Sequence, residues 1–209
     1  MSEGLFITLE GGEGAGKTTQ IRLLAQTLQN RGFQVVQTRE PGGTPAGEAL
    51  RDVFVAHKGK DWPLAAQTML MFTARALHVE TLIRPALEEG KIVISDRFTD
   101  STRAYQGYAQ GYDPERLEGV KRAAIGDFEP DLTFIFDIDP REGLVRATGR
   151  AQGDDTFEEN GLAFHDRLRE GYRCIAKENP QRCVLIDATG TVEAIAEKIL
   201  AEVLKRLDV

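Results

Sequence analysis

The sequence predicts an α/β fold, with a five-stranded parallel sheet and helices on both faces. Three observations carry that expectation. Short apolar runs alternate with long segments of helical period, the pattern of repeated strand–helix–strand units. Several of the runs are apolar nearly throughout, as strands buried on both faces are. The first run leads directly into a glycine-rich turn and then a helix-like segment, the setting a phosphate-binding loop requires.

The first strand is read over Leu5 to Glu10, and a helix over Thr18 to Asn30. Between them, Gly11-Gly12-Glu13-Gly14-Ala15-Gly16-Lys17-Thr18 has the spacing G-x-x-x-x-G-K-T. Its glycines let consecutive N–H groups curl around a phosphate, and the helix start adds a favourable dipole. Lys17 supplies charge for the outer phosphates, and the Thr18 hydroxyl suits Mg²⁺. Glu13 is electrostatically awkward beside a phosphate cradle. It points to a different group, such as a sugar hydroxyl, approaching there.

Phe33 to Thr38 reads as the second strand. It runs into Arg39-Glu40-Pro41-Gly42-Gly43-Thr44, a tight turn whose Thr44 can cap the next helix, Thr44 to His57. Arg51 lies two turns into that helix, within reach of the same pocket. The long helical segment Leu64 to Glu89 carries Phe72 and Arg75 on one face. A ring beside a fork of donors can stack on a base and bond its carbonyl, although a Met/Phe stripe at this spacing is usually core.

Lys91 to Ser95 is the third strand. It ends in Asp96-Arg97, at the edge where ligands bind in open α/β sheets. Asp96 can hold Mg²⁺, and Arg97 can grip a second phosphate with its planar fork. Asp100 to Gly107 then gathers Ser101, Thr102, Tyr105 and Gln106 into a polar, shape-selective wall. Helices are expected over Asp113 to Asp127, Gly161 to Glu178 and Val192 to Leu207, and strands over Leu132 to Ile138 and Arg182 to Ile186. Thr148 to Asn160, rich in Gly and Asp, reads equally as a surface loop or as a mobile lid.

The 209 residues fit one domain, and 33 acidic against 26 basic residues give a net charge of -7. That balance argues against nucleic acid as a partner. No charged-then-apolar leader and no apolar run near membrane-spanning length is present, so a soluble cytoplasmic protein without a membrane partner is expected. Cys174 and Cys183 lack metal-site spacing and are expected to be reduced thiols, and His57, His78 and His165 are scattered. There is no N-K-x-D guanine-reading element, which weakens a GTPase reading.

Together the motifs resemble those of bacterial thymidylate kinases, nucleoside monophosphate kinases of the P-loop NTPase type. The loop, T-R-E-P-G-G-T at Thr38 to Thr44, F-x-A-R at Phe72 to Arg75, D-R-F at Asp96 and D-S-T-x-A-Y-Q-G at Asp100 to Gly107 occur in that family's order and spacing. The resemblance runs essentially end to end. It implies a three-layer fold, one domain over residues 1–209 with a short lid at about 146–160, and a homodimer. It implies transfer of the γ-phosphoryl group of ATP to dTMP, giving dTDP and ADP for dTTP synthesis.

The resemblance also implies roles. Gly11 to Thr18 would bind ATP, with Lys17 on its phosphates and Thr18 and Asp96 on Mg²⁺. Arg97 would hold the acceptor's phosphate, with Arg39 or Arg51 nearby. Phe72 would stack on thymine, and Arg75 and Thr102 would bond its edge. Tyr105 would crowd the sugar's 2′ position, Gln106 and Ser101 would belong to the pocket wall, and Glu13 would meet the 3′-hydroxyl. Asp187-Ala188-Thr189 would lie near adenine. In eukaryotic members an Arg follows the loop carboxylate; here that position is Gly14. The missing charge would come from the lid, from Arg150 first and Arg146 second. Three other readings stay open: a deoxynucleoside kinase with Glu40 as base, a nucleotide-binding module without turnover, and a nucleic-acid-dependent ATPase.

Overall fold

The computed structural model of the chain describes residues 4–57, 59–148 and 160–208. Its sheet comprises β1 (Leu5–Gly11), β2 (Val35–Arg39), β3 (Ile92–Asp96), β4 (Leu132–Asp137) and β5 (Cys183–Asp187). The strands are all parallel, in the order β2-β3-β1-β4-β5. The chain therefore starts at the centre, crosses to the β2 edge, returns to β3 beside β1, and then passes to β4 and β5 on the other side, so a crevice opens at β1. Register brings Leu9 opposite Asp96 and Arg39 opposite the same residue. The loop after β1 and the turns after β2 and β3 thus leave the sheet at one edge.

The helices are α1 (Lys17–Asn30), α2 (Pro45–Ala56), α3 (Leu64–His78), α4 (Arg84–Glu88), α5 (Thr99–Thr102), α6 (Pro114–Ile125), α7 (Pro140–Thr148), α8 (Leu162–Glu178) and α9 (Val192–Arg206). Thr44 caps α2 as expected, its hydroxyl accepting from Gly47 N at 3.1 Å. The expected single helix from Leu64 to Glu89 is instead interrupted by a π turn, Val79–Ile83. Pro85 just beyond it has no N–H to give to the preceding turn, and a π turn absorbs that loss. The polar wall is also helical: α5 runs straight into a π-helical stretch, Arg103–Ala109. The sequence reading had no counterpart of α7. No helix among the described residues is long and apolar enough to cross a membrane.

Strand alternation sorts the core. Ile7 and Leu9 of β1 join Ile94, Phe134 and Leu24 on the face covered by α1 and α9. Phe6 points the other way, into a cluster with Phe72, Val93 and Phe98. Thr8 and Glu10 share that second face by the same alternation, and both are buried. Their burial is tolerable only because they are bonded: Thr8 Oγ1 meets Thr133 Oγ1 at 2.8 Å. Cys183 is buried and unpaired, and burial pushes its thiol up to about 12, as an inert reduced cysteine requires.

The start of α5 is fixed by a buried ion pair. Arg182 forks onto both oxygens of Asp100, at 2.6 and 3.0 Å, and also reaches Thr133 Oγ1. Arg103 holds Asp100 Oδ1 from its other side at 2.9 Å. Removing one partner strands a carboxylate that is 1% exposed. Arg182→Met is expected to lower unfolding free energy by about 3 kcal/mol, the low end for a broken buried pair because Arg103 remains. Urea denaturation followed by circular dichroism checks this.

Candidate active site

The phosphate loop owes its shape to glycine. Gly16, at φ 93°, precedes α1, whose first turn has no side-chain cap and no acidic residue. The N–H groups there are left for an anion. Gly14 is at φ 68°, and a Cβ on it would lie 1.9 Å from the Gly143 carbonyl oxygen of α7. The absence of an arginine at this position is therefore steric as well as chemical: α7 packs directly on the loop. Lys17 is buried and folded back, donating to the carbonyls of Gly11 at 3.0 Å and Gly12 at 2.9 Å. Burial, with Arg97 adding to it, lowers its pKa.

Arg97 sits across from the loop in a left-handed conformation, φ 71°, which is strained for a side chain with a Cβ. Both flanks of the strained residue are tied down. Its N–H donates to Leu9 O at 3.0 Å, Ser95 Oγ donates to its carbonyl at 2.8 Å, and Phe98 N–H donates to Glu10 at 2.7 Å. The guanidinium donates to Glu13 Oε1 at 2.8 Å, to Gly11 O at 3.1 Å, and to Ser101 Oγ and Tyr172 Oη at 3.2 Å. Tyr105 Oη donates to the same Glu13 oxygen at 2.6 Å. Burial works against charge on Glu13, yet Arg97 and Lys17 hold its carboxyl down to about 2.

A cleft of about 200 Å³ is lined by Glu13, Gly14, Ala15, Gly16, Lys17, Thr18, Arg39, Glu40, Arg51, Asp96 and Arg97. Residues from three separate motifs thus converge. Arg39 is held by Glu48 at 3.0 Å, and Arg51 by the Pro41 carbonyl at 3.0 Å. Thr18 Oγ1 donates to Asp96 Oδ2 at 3.3 Å, while Asp96 Oδ1 is buried with no partner among the described residues. An orphaned carboxylate oxygen beside a hydroxyl is a donor set that fits Mg²⁺.

The residues expected to meet a base lie deeper. Arg75 is 3% exposed, with Nε on Glu40 Oε2 at 2.7 Å, Nη2 on Phe98 O at 2.9 Å, and both Nη atoms on Thr102 Oγ1 at 3.2 Å. Phe72 differs from expectation. It is 1% exposed and carries the Arg75 guanidinium 4.6 Å above its ring, so it offers no open face for stacking. Ser101 differs too. Helical geometry turns it behind Arg97, where its hydroxyl donates to Glu10 at 2.6 Å. Gln106 is buried and donates to Gln67 of α3 at 3.2 Å. Glu40 has one oxygen on Arg75 and the other on His78, so the carboxylate imagined as a base is fully engaged.

Arg146, at the end of α7, donates to the Ala188 carbonyl at 3.0 Å and to Glu142 at 2.5 Å. That ties it to the turn after β5. Arg150 and most of the expected lid lie outside the described residues. Sequence reasoning missed Glu10, Glu48, His78 and Tyr172. Glu10 had a signal: it is an acid on the Phe6/Thr8 face of an apolar strand.

A thymidylate kinase family model matches residues 9–199. A thymidylate kinase of Rhodopseudomonas palustris is 49% identical over 209 residues, covering 99% of this chain and 91% of that relative. One from Caulobacter vibrioides is 45% identical, covering 99% of both. The crystal structure of thymidylate kinase from Ehrlichia chaffeensis superposes with a TM-score of 0.77 at 36% identity, covering 100% of both chains.

Glu10 yields a pH prediction. Burial, and then the Asp100 charge, push its carboxyl up to about 7 from 4.5. Between those pH values the folded chain holds a proton that the unfolded chain has lost, so stability falls as pH rises through the window. From pH 5 to pH 8, wild type should lose about 1–3 kcal/mol relative to Glu10→Gln. Parallel urea titrations of the two proteins at several pH values measure the difference.

Proposed function

The chain belongs to the thymidylate kinase family, and from that membership we infer how its residues transfer the γ-phosphoryl group of ATP to dTMP, giving dTDP and ADP. One observation carries the assignment of roles: a single cleft is lined by the phosphate loop, by Arg39 and Arg51, and by Asp96 and Arg97. Two anions can be brought together there.

The loop N–H groups and Lys17 bind the ATP phosphates, Lys17 exchanging its loop carbonyls for phosphate oxygens. Thr18 and Asp96 would hold Mg²⁺, which when bound would neutralise phosphate charge. Arg97 holds the acceptor phosphate, assisted by Arg39 and Arg51. An anion arriving at Arg97 competes with Glu13, and the released carboxylate can accept from the sugar 3′-hydroxyl. The acceptor oxygen is already anionic at neutral pH, so no general base is needed. Alignment and charge stabilisation do the rest. The lid at about 146–160 excludes water, and Arg150 supplies the charge that Gly14 lacks. Arg146 is the second candidate, though its bond to Ala188 favours a place near the adenine end.

Arg75 and Thr102 read the base edge. Arg75 keeps one Nη1 hydrogen uncommitted among the described residues, directed by its other bonds. Tyr105 disfavours a ribose 2′-hydroxyl, and Gln106 braces the wall. Thymine stacking on Phe72 would require the Arg75 guanidinium to leave its ring, so Phe72 serves here as the packed support beneath Arg75. The proposal includes a cytoplasmic homodimer, in keeping with exposed Val53 and Val55 on α2. The engagement of Glu40 counts against a nucleoside kinase.

ADP release over a panel of nucleosides and monophosphates, with ATP and Mg²⁺, tests the reading. Strong activity is expected with dTMP and none with thymidine. dUMP should trail by roughly the 10–200-fold that one methyl group allows, and dCMP by more, since its amino group faces Arg75 donors. Activity on nucleosides would overturn the assignment. Arg97→Ala should reduce kcat/KM for dTMP by about 10³-fold or more, the scale of a lost phosphate-clamping arginine. Steady-state kinetics measure it.

A further inference from the structure

We infer that His78 is a positioning residue that holds Glu40, and through it Arg75, in the one orientation that leaves a donor free for the base. The inference rests on the reading of Arg75 as the base-contacting group. His78 is fully buried, and both ring nitrogens are engaged. Nδ1 lies 2.9 Å from Glu40 Oε1, and Nε2 lies 2.6 Å from Thr38 Oγ1. One tautomer satisfies both contacts: Nδ1–H donates to the carboxylate, and Nε2 accepts from the Thr38 hydroxyl. The turn after β2 closes over the pair, since a Cβ on Gly43 would fall 2.4 Å from Thr38 Oγ1 and 2.6 Å from His78 Nε2.

The consequence lies in how Glu40 meets Arg75. A carboxylate left to itself prefers to pair an arginine with both oxygens, here along the Nε–Nη2 edge. His78 claims Oε1, so only Oε2 reaches Arg75, through Nε at 2.7 Å. Nη2 is thereby left to the Phe98 carbonyl, and the guanidinium lies against Thr102. Without His78 the carboxylate can swing onto Nη2 as well. That draws Nη2 from Phe98 and turns the remaining Nη1 hydrogen away from its direction. His78 does not itself line the cleft and reaches it only through Glu40, so its effect on the substrate is indirect.

The test compares His78→Leu, His78→Asn, Thr38→Val and Arg75→Met, each read by KM for dTMP, KM for ATP and the dTMP-over-dCMP ratio of kcat/KM. In His78→Leu the dTMP KM should rise and the base ratio should fall, each by about 10-fold or more, the worth of a hydrogen bond to a charged group, with the ATP KM unchanged. His78→Asn can still donate to Glu40 and should recover most of both. Thr38→Val should shift both in the same direction, less strongly, and decides the matter if His78→Leu fails to fold. An unchanged base ratio in His78→Leu or, failing it, in Thr38→Val overturns the inference, as does a rise in both KM values together. Arg75→Met separates the two layers. A ratio unchanged there refutes the base-reading role of Arg75, whereas a ratio lowered there but not in the His78 variants refutes the role of His78 alone.

Discussion

The Arg97 guanidinium reaches the phosphate loop through Gly11 and Glu13, α5 through Ser101 and α8 through Tyr172, and the arrangement of the cleft depends on its being held there. Its backbone conformation is unfavourable, at a cost on the order of 1–3 kcal/mol. Parallel pairing of β1 with β3 brings Leu9 alongside, and the Glu10 carboxylate behind it takes Phe98 N–H, Ser101 and Tyr172. A buried acid in a central strand would be a liability alone. Here it is the counterpart that holds a strained arginine against the phosphate loop.

The cations of the resting cleft already have partners within the protein. Glu13 occupies Arg97, loop carbonyls occupy Lys17, and Glu48 occupies Arg39. Each cation is thus kept in position by a partner that an anionic phosphate can outcompete. Asp96 Oδ1 is the exception, an oxygen with nothing to meet among the described residues. The same logic extends inward, where Glu40 neutralises Arg75 while His78 limits how much of the arginine it takes.

The sheet, its helices and the phosphate loop were legible because they rest on local signals: strand alternation, helical period, glycine spacing and the Thr44 cap. Asp96, Arg97 and Arg39 were legible because strand ends in a parallel sheet share one edge, and Arg51 because it lies two turns into the helix that follows β2. What escaped depended on long-range partners. Ser101 looked like a pocket residue until helical geometry turned it toward Glu10, which is 91 positions away. Phe72 and Arg75 share a face as their spacing requires, yet that face packs inward. The π turn at Val79–Ile83 and helix α7 left too short a periodic signal, and Gly14 could not be read as a packing requirement before α7 was known to lie on it.

The central claim is that Arg97, held by Glu10 and Glu13, recognises the phosphate of the acceptor. Calorimetric titration of dTMP and of thymidine into the wild-type protein and into Arg97→Met tests it most directly. The account predicts that dTMP binds wild type far more tightly than thymidine does, and that most of this gap closes in the variant. A gap of the same size in both proteins would contradict it.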